Sequence, residues 1–169
     1  MSKKVKMTYT ALAGAFLLAL YYIIFCFSAQ DGETSGKISM KVSQMGVDFW
    51  NNLAGKGWSE QIKLQMAQYF EHPVRKMAHF AEYALMGFLQ CSILRCHIQK
   101  NKKVFLFTIL WVAVSAAADE IHQLFVPGRW GSGADVLLDT CGGAFGGAFC
   151  LLFVYIFIKV RTAKRTVLS

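Results

Sequence analysis

Charged residues are scarce in this chain: they make up 17% of its 169 residues, against 55% hydrophobic and 14% aromatic. Soluble domains carry about a quarter, so an ordinary water-soluble globule is excluded, and the length allows a single domain, residues 1–169, or at most two. Acid is missing altogether from three basic segments. Lys3, Lys4 and Lys6, then Arg95, Lys100, Lys102 and Lys103, then Lys159, Arg161, Lys164 and Arg165 account for eleven of the 18 Lys and Arg, and all 10 Asp and Glu lie elsewhere. A formal net charge of +8 distributed in that way is not a nucleic-acid surface. It is the alternation of a multi-pass membrane protein that keeps its basic loops, and here both termini, on the cytoplasmic side.

Metal-ligand spacing is missing too. The cysteines, Cys26, Cys91, Cys96, Cys141 and Cys150, are odd in number, sit in or beside apolar runs and contain no Cys-x-x-Cys. They read as small apolar fillers and not as a disulfide framework. No His-Glu-x-x-His occurs either, so no cofactor is assigned and a divalent cation has only weak support.

What is present is a series of long apolar runs, each bordered by polar residues. Met7 to Gln30 carries no charge and is long enough to cross a core of ~30 Å at ~1.5 Å per residue. Its apolar part, Ala11 to Phe27, exceeds a usual leader, so residues 8–27 are expected to be a retained first span. Residues 31–72 form the one sizeable polar stretch. There Ile38, Val42, Met45, Phe49 and Leu53 recur at helical spacing, Gly55-Lys56-Gly57 breaks the pattern, and Ser59 is placed to cap a second short helix with Ile62, Met66, Tyr69 and Phe70. With Trp50 and Trp58 alongside, this stretch is expected to be two amphipathic helices on the outer membrane surface or a lid packed on the bundle.

Pro73 is expected at the first position of the next helix, residues 74–94. Only twelve uncharged residues follow Glu82, roughly 18 Å of a core of ~30 Å, so a spanning helix must take Glu82 and His79 into the bilayer. Arg75, His79 and Glu82 then share one face, with Tyr83 beside it. The fifteen uncharged residues Val104 to Ala118 are also short of a full span. A helix over 104–125 therefore carries Asp119, Glu120, His122 and Gln123, of which Asp119, His122 and Gln123 share a face. Val126-Pro127-Gly128-Arg129 reads as a tight turn. A last helix covers 134–158. Ser132 and Asp135 have capping-box spacing, whereas Asp139 lies one turn deeper with no local role. Gly142, Gly143, Gly146 and Gly147 continue that face and allow close approach of a neighbouring helix, in this chain or in a homo-oligomer.

The expected fold is therefore all-α: four transmembrane helices with a short extracytoplasmic amphipathic helical segment, every intramembrane charge lying in the outward half. Buried ionised groups cost about 2.5–3.5 kcal/mol each at a membrane centre, so the cluster needs a reason. An ion-pair network locking four helices together is one. A binding or catalytic pocket is another, with His79, Glu82, Asp119, Glu120 and His122 as proton-transfer candidates and Arg75, Lys76, Gln123, Arg129, Asp135 and Asp139 as binding residues. A non-catalytic binding module or drug antagonist, which would depend on the Trp50 and Trp58 cap and not on the histidines, is a third. Arg75, Lys76 and Arg129 suit an anionic headgroup, which makes membrane lipids, and a lipid-linked phosphate or cell-wall precursor among them, the expected partners. The inward halves hold almost no polar residue, which disfavours a transporter.

Several ordered motifs resemble one family. Phe27-Ser28-Ala29-Gln30, Arg75-Lys76-Met77-Ala78-His79-Phe80-Ala81-Glu82-Tyr83, Asp119-Glu120-Ile121-His122-Gln123-Leu124-Phe125-Val126-Pro127-Gly128-Arg129, and Asp135-Val136-Leu137-Leu138-Asp139-Thr140 with the following glycines are similar to the VanZ-like proteins of bacterial membranes. The chain departs from many of them at Asp139, where they carry Asn. The resemblance implies a multi-pass protein of the bacterial cytoplasmic membrane, acting in the cell envelope. It also implies a link to teicoplanin-type glycopeptide resistance, without a defined reaction.

Overall fold

The structure, a computed structural model, describes residues 2–167, with side chains described as far as residue 163. Part of the basic tail, the side chains of Lys164 and Arg165 together with Leu168 and Ser169, lies outside the described residues. Five helices follow one another: α1 Lys3–Ser28, α2 Gly32–Leu53, α3 Glu60–His97, α4 Asn101–Gln123 and α5 Gly133–Val167. Among the described residues there is no strand. Local chemistry sets the starts. The side chains of Ser2, Asp31 and Ser59 accept from the backbone N–H three residues on, each satisfying a donor that the first turn leaves free. Gly55 and Gly57 lie at φ +58° and +61°, a left-handed conformation that only glycine adopts cheaply, and so separate α2 from α3.

Pro73 does not begin a helix. It lies inside α3, which runs unbroken for 38 residues, so the expected short external helix and the expected second span are one rod. Pro73 lacks one N–H and strains one turn. That turn is exposed at His72 and Pro73, and the rod is held on both sides of it, by α2 before and by α1, α4 and α5 after. α4 ends at Gln123 with Leu124 as its C-cap, two residues before the expected Phe125.

α3 is the central element, packed most extensively on α5. The glycine face of α5 makes that closeness possible. A Cβ on Gly142 would stand 2.5 Å from the carbonyl oxygen of Phe80, and one on Gly146 would fall closer still to that of Ala84. Gly143 meets Gly87 of α3 and Val112 of α4. The four glycines therefore admit helices of the same chain. On another side of α3, Tyr83 and Met86 join Leu17, Leu20 and Ile24 of α1 and Val112 and Ala116 of α4 in one cluster. Cys91 and Cys150 pack with Val104 in a second, and all five cysteines are free thiols.

α1, α4 and residues Gly133–Ala163 of α5 are each long and apolar enough to cross a membrane. Leu12, Phe16, Leu18, Val114 and Phe153 are exposed on them, large apolar side chains that suit lipid better than water. α3 has the length of a span but is interrupted by Arg75, Lys76, His79, Glu82 and Gln90.

Candidate functional site

The end of α1, the middle of α3, the end of α4 and the start of α5 come together at one end of the bundle, and with them Arg75, Lys76, His79 and Glu82 of α3, Asp119, Glu120 and His122 of α4, and Asp135 and Asp139 of α5. The closing piece is the turn after α4. Arg129 N donates to the Val126 carbonyl at 3.1 Å, with Gly128 at φ +69°, as a Pro-Gly turn requires. The turn is pinned by Gly32 N donating to the Pro127 carbonyl at 3.1 Å. Arg129 then reaches across to α1: Nε donates to the Gln30 carbonyl at 3.0 Å and Nη2 to that of Phe27 at 2.9 Å. Gln123 supports it from α4, accepting from Arg129 Nη1 at 3.5 Å and donating to Asp119 Oδ2 at 2.9 Å.

A cavity of about 170 Å³ lies against this guanidinium, lined by Arg75, His79 and Glu82 of α3, Ser39 of α2, Gln30 and Arg129 among others. Arg75 is held by Glu71 one turn earlier, Nη2 to Oε1 at 2.5 Å, and by Ser39 at 3.4 Å; Ser39 also donates to Glu71. Burial raises the Glu71 pKa, but the bonds from Ser39 and Arg75 outweigh it and hold the group below the usual glutamate value. Burial and the neighbouring Arg75 guanidinium hold Arg129 below the usual arginine value. Two guanidinium groups thus share one small space. Arg75 Nε and His79 Nδ1 are buried with no hydrogen-bond partner among the described residues, so two donor-capable groups of this wall are uncommitted.

Four of the eleven predicted site residues line the cavity: Arg75, His79, Glu82 and Arg129. Gln123 and Asp119 stand behind it and orient Arg129. Lys76 faces α5 and pairs with Asp135, both side chains remaining partly exposed. The capping box at α5 is half as predicted. Ser132 Oγ does accept from Asp135 N at 3.4 Å, but the reciprocal carboxylate is Glu120 of α4, which accepts from Ser132 N at 2.6 Å. Glu120 is 5% exposed and ties the end of α4 to the start of α5 through this bond. His122 is turned to α1, its ring stacked on Phe25 with centroids 4.9 Å apart and its Nδ1 3.4 Å from Ser28 Oγ. The two histidines therefore do not form one pair in the cavity. Asp139 is fully buried, neither oxygen has a hydrogen-bond partner among the described residues, and Glu120, Asp119, Asp135 and Glu82 are its electrostatic neighbours.

Sequence reasoning missed Glu71 and Ser39, which fix Arg75, and the role of Phe27 and Gln30, whose carbonyls receive Arg129. The last pair was visible as part of the Phe27-Ser28-Ala29-Gln30 motif; the first had no local signal. No group of three or more His, Cys, Asp or Glu converges in a metal-holding arrangement among the described residues.

The family model described as VanZ/LLP1 matches residues 13–157, a span that contains every residue of this site. The chain belongs to the VanZ/LLP1 family. No curated protein and no solved structure matches it. A VanZ/LLP1 protein with three helices fit to cross a bilayer is a membrane protein, and the family match places the cavity within the shared part of the chain.

Proposed function

We propose that this VanZ/LLP1 protein binds the anionic headgroup of a lipid-linked phosphate or cell-wall precursor at the cavity between α1, α2 and α3. α3 is the fourth span in this reading, both termini are cytoplasmic, and the cavity opens on the outer side. The basic segments at the opposite end of the bundle support that orientation. The observation that carries the reading is that Arg75 and Arg129 line one cavity, with Arg75 Nε and His79 Nδ1 buried beside it without a hydrogen-bond partner among the described residues. An anion relieves the repulsion between the two cations and fills the open donors. His79 and Glu82 are the only predicted proton-transfer residues on the cavity wall, so any chemistry at the headgroup falls to them.

The expected outcome in cells is a change in sensitivity to glycopeptides of the teicoplanin type. Expression of the wild type in a susceptible host should raise the inhibitory concentration several-fold, and Arg129→Ala should abolish the increase. Equal inhibitory concentrations for wild type and empty vector would remove the resistance reading.

A second reading has its own support. Lys76 with Asp135, Glu120 with Ser132, and Arg129 with two carbonyls tie α1, α3, α4 and α5 together, as a purely structural network would. That network predicts loss of stability from Arg129→Ala with no ligand involved.

A further inference from the structure

A cavity of about 170 Å³ is small for a whole ligand, since small-molecule sites run at about 300–1,000 Å³. It holds a headgroup, and the remainder of the molecule must lie elsewhere. A second cleft begins where the first ends. Val42 of α2 and Val74 of α3 line both, and from them a cleft of about 460 Å³ runs between α2 and the first half of α3 past Gly46, Val47, Trp50, Trp58, Met66 and Phe70. Its walls are almost wholly apolar, and no charged side chain is among them. The buried face of α2 is narrow and small, Ser39, Ser43, Val47 and Asn51, which leaves the cleft open instead of filling it with large side chains.

We propose that this α2/α3 cleft takes a single hydrocarbon chain of the same amphiphile whose phosphate sits between Arg75 and Arg129. The inference rests on the headgroup reading above and adds the substrate class: a phosphate ester of one long alkyl or isoprenoid chain. The shared wall at Val42 and Val74 is what couples the two halves, because it lets one molecule cross from the polar to the apolar part without leaving protein. An empty apolar cleft facing water would be costly, whereas a chain removed from the bilayer into it exchanges one apolar medium for another.

The experiment uses the full chain in phosphatidylcholine nanodiscs and compares inorganic phosphate with farnesyl phosphate and dodecyl phosphate by competition against a radiolabelled farnesyl phosphate probe. The wild type should bind both chain-bearing esters at least tenfold more tightly than inorganic phosphate. Gly46→Trp should bring their affinity down to that of inorganic phosphate. A Cβ at Gly46 meets nothing within 4 Å and glycine is a poor helix residue, so the bulky side chain enters the cleft without straining α2. Equal wild-type affinity for inorganic phosphate and the esters overturns the cleft proposal and leaves the headgroup site standing, with free phosphate as its ligand. Tight ester binding that Gly46→Trp does not weaken also overturns it, since the chain then lies outside the cleft. No specific binding of any of the three overturns both.

Discussion

Two faces of α3 are built on opposite plans. Towards α5 the backbones meet glycine to glycine, Gly87 against Gly143, and Lys76 closes the top of the seam on Asp135. Towards the end of α1, α2 and the Arg129 turn, the same helix leaves a cavity, with Arg75 Nε and His79 Nδ1 buried beside it and unpartnered among the described residues. Close packing and satisfied charge identify the first face as the one that holds the fold. Polar groups kept buried and open on the second cost stability, which makes sense when a ligand supplies the missing partners.

The sharpest way to break this contrast is to crowd the seam. Gly146→Val puts a branched side chain against the backbone of Ala84 and should cost about 1–3 kcal/mol or prevent folding. Thermal unfolding in detergent, followed by circular dichroism, would show it; an unchanged midpoint would mean that α3 and α5 are not in backbone contact. Among the described residues the seam has an exception to its satisfied chemistry, Asp139, whose carboxyl has no hydrogen-bond partner. Asp139→Leu removes an unpaired buried carboxyl and should raise stability by about 1–3 kcal/mol. A lower midpoint would mean that this carboxyl has a partner in the membrane, and would move Asp139 from liability to anchor.

The smallest effect is expected where the hairpin of α2 and α3 is tethered. Glu71 is held below its ordinary pKa of 4.5, so its contribution to docking α2 through Ser39 and Arg75 is complete above that value. It is lost as pH falls through the lower, folded value. Backbone protection in α2, taken relative to the intrinsic exchange rate at each pH, should therefore fall as the pH drops below 4.5 while α4 and α5 stay protected, and Glu71→Gln should show the weaker protection already at neutral pH. Pure pH independence in α2 would show that the Glu71 cluster does not hold the hairpin.

Much of this could be read from the sequence. The apolar runs, the Gly55 to Gly57 break, the Ser59 cap, the Pro127-Gly128 turn and the glycine face of α5 all follow from local rules, and the structure has them. The errors arose where a distant partner overrode a local signal. Pro73 looked like a helix start, yet packing on both sides carries α3 through it. Asp135 looked like its own capping acid, yet Lys76 claims it and Glu120 supplies the reciprocal bond to Ser132. His122 reads from the sequence as a proton-transfer candidate alongside His79, and only the packing of α4 on α1 shows it stacked on Phe25. The apolar stripe of α2, Ile38, Val42, Met45, Phe49 and Leu53, was read correctly as a stripe; all five stay exposed on the hairpin while Ser39, Ser43, Val47 and Asn51 are buried against α3. That arrangement suits a hairpin resting on a membrane surface.

The central claim is that the open face of α3 exists to bind an anionic headgroup. Its most direct test is native mass spectrometry of what remains bound to the protein in mild detergent, with wild type, Arg129→Ala and His79→Ala compared at equal helical content. A phosphate-bearing lipid that co-purifies with the wild type and falls at least tenfold in both variants is the predicted result. No such species in the wild type, or equal retention in all three proteins, would contradict it and leave the polar end as a structural network.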